Sequence, residues 1–438
     1  MRKITVLVSF LLALSFSAFA QSSHDNESDT LATKEEVQNV KGAVEGLNES
    51  YLETKAVVDA IKKIKISGYI QAQYQSAEVD GAKSFAGGDF PVTLHNRFAV
   101  RRGRVKFNYD NDLTQYVLQF DVTEKGMGIK DAYVSVKEPW LKTFGFTAGV
   151  FDRPFGFEIS YSSSNRETPE RTRMYQTLFP GERDLGAKIE IFPTSGPLSL
   201  FNFKGGFFAG NGTTPETDNA KDFIGRLGFS FPFEASNLAI DGGISGYFGS
   251  VLVDAVKKTY TLNSSSVPVG DSLSKYIDRN YLGADVQLYY DLPVLGGFSL
   301  RGEYISGKNP GTSTSNAVYK QTNGDVYLRN FSGYYINYVQ NIGSSLQLVV
   351  KYDVFDPNSD VKGDDIGVSG SKLSVADLKY NTLGAGFVYY WDGNVKFTFY
   401  YDTVSNEKVN ANAVATTLAP YKSDLKDNVF TLRMQYKF

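Results

Sequence analysis

From Ile64 to the final Phe438 the sequence keeps a period of two, segment after segment. In "YVLQFDVT", Leu118, Phe120 and Val122 alternate with Gln119, Asp121 and Thr123; in "LQLVVKYDVF", Leu346, Leu348, Val350, Tyr352 and Val354 alternate with Gln347, Lys351 and Asp353. The last segment, "VFTLRMQYKF", sets Phe430, Leu432, Met434, Tyr436 and Phe438 against Thr431, Arg433, Gln435 and Lys437. Such dyads are strands with one apolar and one polar side.

The connections separate a closed barrel from a soluble sandwich. Short turns centre on 109–112, 137–142, 193–197, 233–237, 293–297, 341–344 and 392–394. Longer links centre on 78–95, 124–128, 152–185, 211–221, 251–278, 308–325, 356–378 and 406–425, and the two kinds alternate. Seven short and eight longer connections divide the chain into sixteen strands. An even strand count, turns on one side and loops on the other predict an all-β transmembrane barrel of antiparallel strands over 64–438. Closure also removes the edges that sixteen open strands would expose.

The residues before the barrel read differently. Arg2 and Lys3 precede an apolar run from Ile4 to Phe16 that ends in "AFA" at Ala18–Ala20. This pattern predicts a signal peptide over 1–20 and export of the mature chain. Residues 21–63 are expected to form a periplasmic linker and an α-helical coiled coil. Val37, Val44, Tyr51 and Val58 take one seam position; Val40, Leu47, Thr54 and Ile61 take the other. That spacing of about 3.5 residues, with β-branched side chains at both positions, favours three strands. Gly42 and Gly46 each weaken the helix by about 1 kcal/mol relative to Ala, which oligomerisation would offset.

Composition closes several routes. The chain has no Cys and two His, His24 and His95, so neither a disulfide framework, a metal centre nor a His-dependent active site is expected. A net charge of −3 argues against a nucleic-acid partner. No cofactor and no enzymatic activity are predicted.

Function is then sought on the polar parity, because sixteen strands enclose water. In "FAVRRGRVKF" the apolar Val105, Phe107 and Tyr109 are expected to face lipid and Arg102, Arg104 and Lys106 the lumen. An Arg or Lys turned to lipid at mid-membrane would cost about 2–4 kcal/mol. Arg101 falls on the outward parity near the strand end. Elsewhere the inward cations are Lys137, Lys188, Lys204, Arg226, Arg301, Arg329, Lys351, Lys396 and Arg433. The inward acids are Asp121, Asp131, Glu190, Asp241, Asp285, Glu303, Asp353 and Asp402. The excess of cations predicts a lumen that concentrates anions. The loop over 152–185 carries Arg153, Arg166, Arg171, Arg173 and Arg183 with Glu158, Glu167, Glu170, Glu182 and Asp184. Its high aromatic content suits a segment folded into the barrel that narrows the pore.

Several stretches resemble the phosphate-selective porin O and P family. They are "KISGYIQAQYQ", "RRGRVKF", "IKDAYVSV", "FTAGVFDRPFGFE", "ERTRMYQTLFPGERDLGAKI" and "VKYDVFDPN". The resemblance implies a homotrimeric sixteen-stranded outer-membrane porin with an inward-folded third loop and an arginine path for small anions such as phosphate. Arg102 and Arg104 match the family's second-strand arginine motif and are the first candidates for anion contact. Phe438, ending an alternating aromatic strand, resembles the signal read by the barrel-insertion machinery. Outer-membrane lipid would surround the wall, and the coiled coil would offer periplasmic or cell-wall contacts. Two alternatives stand beside this reading: a general low-selectivity porin whose charges are structural, and an envelope spacer or anchor.

Overall fold

The computed structural model describes residues 33–253, 258–262, 269–272, 276–319 and 324–438. The expected signal peptide over 1–20 and the linker up to residue 32 lie outside the described residues.

Helix α1 (Lys34–Lys62) forms a unit separate from Lys63–Phe438. It starts at a reciprocal cap: the Thr33 Oγ1 accepts from the Glu36 N–H at 3.3 Å, and the Glu36 carboxylate accepts from the Thr33 N–H at 2.9 Å. Glu35 and Glu36 in the first turn and Lys62 in the last complement the helix dipole. None of its residues is buried, so the seam from Val37 to Ile61 is wholly uncovered in the single chain.

Eighteen strands follow among the described residues. They are β1 (Ile64–Ala77), β2 (Asn96–Asn111), β3 (Thr114–Thr123), β4 (Gly126–Lys137), β5 (Phe144–Asp152), β6 (Arg183–Ile191), β7 (Phe201–Phe208), β8 (Asp222–Phe233) and β9 (Leu238–Leu252). Two short strands, β10 (Thr259–Thr261) and β11 (Val269–Ser272), decorate the link to β12 (Tyr276–Leu292). The wall resumes through β13 (Gly296–Gly311), β14 (Val326–Ile342), β15 (Leu346–Asp356), β16 (Tyr380–Tyr390), β17 (Val395–Asn406) and β18 (Val429–Lys437). Because β9 pairs directly with β12 and β1 with β18, sixteen antiparallel strands close into a barrel, with β10 and β11 outside that circuit. Both the strand count and the alternation of short turns with long loops agree with the sequence pattern.

One parity of the wall is apolar and exposed: Ile66, Phe107, Val134, Phe146, Ile244, Leu282 and Ile336 all point outward. Toward the short-turn ends the outward residues become aromatic. Phe298 packs 5.8 Å from Tyr290 and 5.7 Å from Tyr338, and Phe201 lies 5.9 Å from Phe231. An apolar band edged by aromatic rings is the outer surface that lipid requires.

The seam closes on Gly68. Its N–H donates to the Phe438 carbonyl at 3.1 Å, and the Phe438 N–H donates back at 3.0 Å. A Cβ at Gly68 would stand 2.6 Å from the Phe438 ring and 2.3 Å from the Arg104 carbonyl oxygen. Only a residue without a side chain lets the last strand seat here.

Candidate functional site

Residues 153–182, between β5 and β6, fold into the barrel, and three kinds of contact hold them. The first is apolar. Phe155, Ile159, Met174, Tyr175, Leu178 and Phe179 of the loop pack with Phe208, Ile224, Tyr247, Tyr281, Ile305, Phe331, Tyr335 and Phe355 of the wall. Helix α2 (Arg173–Leu178) supplies three of those loop residues, and Phe179 follows directly. The inward parity from β7 to β15 is thus partly aromatic, which draws the loop to that half of the lumen.

The second contact is a carboxylate staple. Glu303 of β13, 4% exposed, accepts from the backbone N–H groups of Phe157 at 2.8 Å and Glu158 at 2.7 Å. The same carboxylate accepts from the Tyr335 hydroxyl at 2.5 Å and from the Tyr175 hydroxyl. Four donors therefore converge on one buried acid. Gly156 makes this approach possible: its φ is +61°, and a Cβ there would sit 2.3 Å from the Glu303 Oε2.

The third contact is a set of ion pairs. Glu170 binds three arginines: Arg101 Nε at 2.8 Å, Arg102 Nη2 at 3.0 Å and Arg433 Nη2 at 2.8 Å. Glu167 binds Arg301 at 3.0 Å. Glu182 binds Arg171 and Lys130, and Asp131 of β4 binds Arg183 at 2.8 Å. Two lysines grip the loop backbone instead: Lys351 donates to the Glu170 carbonyl at 3.1 Å and Lys396 to the Arg166 carbonyl at 3.0 Å.

Arg101 departs from its expected outward position. Gln71 of β1 faces Arg102 and Ala72 faces Val100, so Arg101 has no partner in the register. This β-bulge puts two residues of β2 opposite one of β1 and turns the extra side chain inward. β4 repeats the device: Gln119 faces Asp131 and Phe120 faces Ile129, which leaves Lys130 unmatched. Each bulge brings one further cation inside, and each of those cations meets a glutamate of the same loop.

The other predicted residues fall into distinct places. Arg102 and Arg104 do face the lumen, and Arg104 binds Asp121 of β3 at 3.0 Å. Arg226 binds Asp285 at 2.6 Å. Arg329 is fully buried against Asp377 at 2.7 Å, in a cluster of long loops with Thr312 and Asn358, away from the 153–182 loop. Arg153 pairs with Asp184 at 3.0 Å at the neck of the loop. Arg173 makes no ion pair among the described residues; it stacks on Phe85 and Tyr380 at 4.3 and 3.8 Å. The Arg166 guanidinium is buried without a hydrogen-bond partner in the described residues. Burial first, then Arg171 and Arg102, lower its pKa to about 9. Glu170 is the reverse case: despite burial, Arg101, Arg102 and Arg433 hold its carboxyl well below the usual range.

One of the openings beside the loop lies against the β1–β6 wall. A cavity of about 270 Å³ is lined by Arg104, Lys106, Asp131, Asp152 and Arg183 of the wall, Ser160 and Ser162–Ser164 of the loop, and Lys437. Lys106 makes no ion pair or hydrogen bond among the described residues, and Lys437 touches only the Asn165 amide oxygen, at 3.3 Å.

Sequence reasoning found the cations and missed their partners. In the sequence Glu303 reads only as one inward acid, and Glu167, Glu170 and Glu182 only as a balance to the loop's arginines. The available signal is "RRGR": three arginines within four residues, with no acid among them, need countercharge from elsewhere.

No protein-family model and no curated protein matches the chain. Solved structures do. OprB of Pseudomonas putida, solved at high pH, aligns over 87% of this chain and 96% of its own, with a TM-score of 0.57 at 9% identity. The anion-selective porin from Comamonas acidovorans aligns over 86% and 99%, with a TM-score of 0.51 at 12% identity. The likeness is one of fold: this chain shares the closed antiparallel β-barrel of those outer-membrane porins.

Proposed function

We propose that this protein is an outer-membrane porin for passive diffusion of small hydrophilic solutes, with a mild preference for anions such as phosphate. One observation carries the reading: the wall and loop arginines largely cancel the loop's glutamates, while in the cavity beside the loop two cations without an ion pair among the described residues, Lys106 and Lys437, outnumber the one such acid, Asp152. A low-dielectric tube with uncompensated cations raises the local concentration of anions. The pairing of Arg102, Arg104, Arg301 and Arg433 supports a modest selectivity rather than a strict one, since their charge is largely spent on the protein itself.

In this reading the signal peptide is removed on export, Phe438 serves the insertion machinery, and the short turns face the periplasm. The uncovered apolar seam of α1 supports a trimeric coiled coil on the periplasmic side of a trimeric barrel. Reconstitution in a planar bilayer under a KCl gradient tests the central claim. An anion-preferring reversal potential is expected; a cation-preferring one overturns it.

A further inference from the structure

The loop presents to the open passage a face unlike the rest of itself. Its charged side chains Arg153, Glu158, Arg166, Glu167, Glu170, Arg171 and Arg173 are buried, and the half-buried Glu182 is paired with Arg171 and Lys130. The side chains it exposes there are Ser160, Ser162 and Asn165, which carry hydroxyls and an amide but no charge. Behind them Ser163 is buried, its Oγ sharing a hydrogen bond with the Tyr69 hydroxyl at 2.5 Å and accepting one from Arg104 at 3.2 Å. The Ser160 hydroxyl donates to the Phe157 carbonyl at 3.1 Å, and Ser162 bonds Ser164 at 3.0 Å. The Ser162 hydroxyl also accepts from the Ser164 N–H at 3.3 Å, so the Ser160 hydroxyl keeps its acceptor capacity and the Ser162 hydroxyl part of its own. Opposite stand the unpaired Lys106 and the exposed Lys437.

A solute in this cavity meets Lys106 and Lys437 on the wall and neutral hydroxyls on the loop; of the two acids in the same lining, Asp131 is paired with Arg183 and Asp152 makes no ion pair among the described residues. A bare inorganic anion uses only the lysines. The cavity, at about 270 Å³, is several times the ~30 Å³ share of one water, so it has room for a body attached to the charge. We infer that the constriction is matched to hydroxylated organic anions, sugar phosphates in particular, with the phosphoryl group toward Lys106 and Lys437 and the sugar hydroxyls along Ser160 and Ser162. This inference rests on the porin reading and names its solute class.

The test uses the full chain in a planar bilayer, with glucose 6-phosphate, inorganic phosphate and glucose added in turn. Glucose 6-phosphate should interrupt the single-channel current at about one-tenth the concentration that inorganic phosphate needs, the scale of one or two hydrogen bonds. Glucose should not interrupt it at that concentration. Ser160→Ala with Ser162→Ala should shrink the sugar phosphate's advantage to about threefold or less and leave the inorganic phosphate block unchanged. Equal block by the two phosphates in the unaltered protein overturns the inference, whether or not the variant inserts. The KCl reversal potential in the same membrane separates the two claims. Anion preference with equal block removes only the sugar-phosphate match, whereas cation preference removes the porin reading's selectivity as well.

Discussion

Arg101 and Arg102 are adjacent in sequence, yet both reach the carboxylate of Glu170, at 2.8 and 3.0 Å. In a regular strand they would point to opposite faces. The bulge at Gln71/Ala72 abolishes that alternation for one residue, and Arg433 of β18 completes the cluster. Replacing Glu170 by Gln leaves two buried guanidiniums, Arg102 and Arg433, and the part-buried Arg101 short of one negative charge. Breaking a buried pair this way costs about 3–5 kcal/mol. The variant should show a heat-dependent gel shift at lower temperature and a reversal potential moved further toward anion preference. An unchanged pair of readings would mean that the cluster neither holds the loop nor tunes the field.

Arg102→Ala with Arg104→Ala tests the cations themselves. Two lumen charges are lost while their acids, Glu170 and Asp121, remain. Anion preference should fall, with insertion into the bilayer retained. Unaltered selectivity would assign both arginines to holding the structure together.

Glu303→Ala withdraws the acceptor from two backbone N–H groups and two tyrosine hydroxyls. Each buried donor left unmatched costs about 1–3 kcal/mol. The loop should leave its seat intermittently, so open-channel current noise should rise and mean conductance with it. Steady currents of the original size would show that the apolar contacts and the ion pairs hold the loop without the staple.

The response to pH follows from the loop's own acids. Burial works against ionisation of Glu170 and Glu182. Arg101, Arg102 and Arg433 overcome it at Glu170, and Arg171, Lys130 and Arg183 at Glu182, holding both carboxyls well below the ordinary glutamate value near 4.5. A carboxyl whose folded pKa is depressed contributes stability that is fully present above its unfolded pKa and lost only as pH falls through the folded one. The share of loop retention that Glu170 supplies should therefore be the same at about pH 7 and about pH 5 and fall only at lower pH. A conductance difference between the unaltered protein and Glu170→Gln that vanishes near pH 6 would contradict this.

Gly68→Ala addresses closure. The added methyl group meets the Phe438 ring at 2.6 Å and the Arg104 carbonyl at 2.3 Å, an overpacking of about 1–3 kcal/mol if the strands can shift at all. The yield of folded barrel from detergent refolding should drop, with the residual barrels conducting normally.

The wall was legible in the sequence because a period of two is dictated locally, by which side of each strand meets lipid. Strand count, turn placement and the outward band from Ile66 to Tyr436 all follow from it. The inward parity of Arg102 and Arg104 was legible for the same reason. What local alternation cannot encode is where it lapses. Arg101 and Lys130 change sides at bulges set by the pairing of two strands, and nothing within either strand announces the extra residue. The staple at Glu303 was out of reach too, since Phe157, Glu158, Tyr175 and Tyr335 meet it only after the loop enters and the barrel wraps around.

The triple pairing at Glu170 also has a meaning for assembly. Its partners come from β2, near the start of the wall, and from β18, its last strand, while Glu170 itself belongs to the link between β5 and β6. Before β18 docks on β1, the loop can satisfy two of its three arginines and no more. The narrowing of the channel is thus completed by the same event that seals the wall, and a barrel with an open seam holds its loop by an unfinished lock.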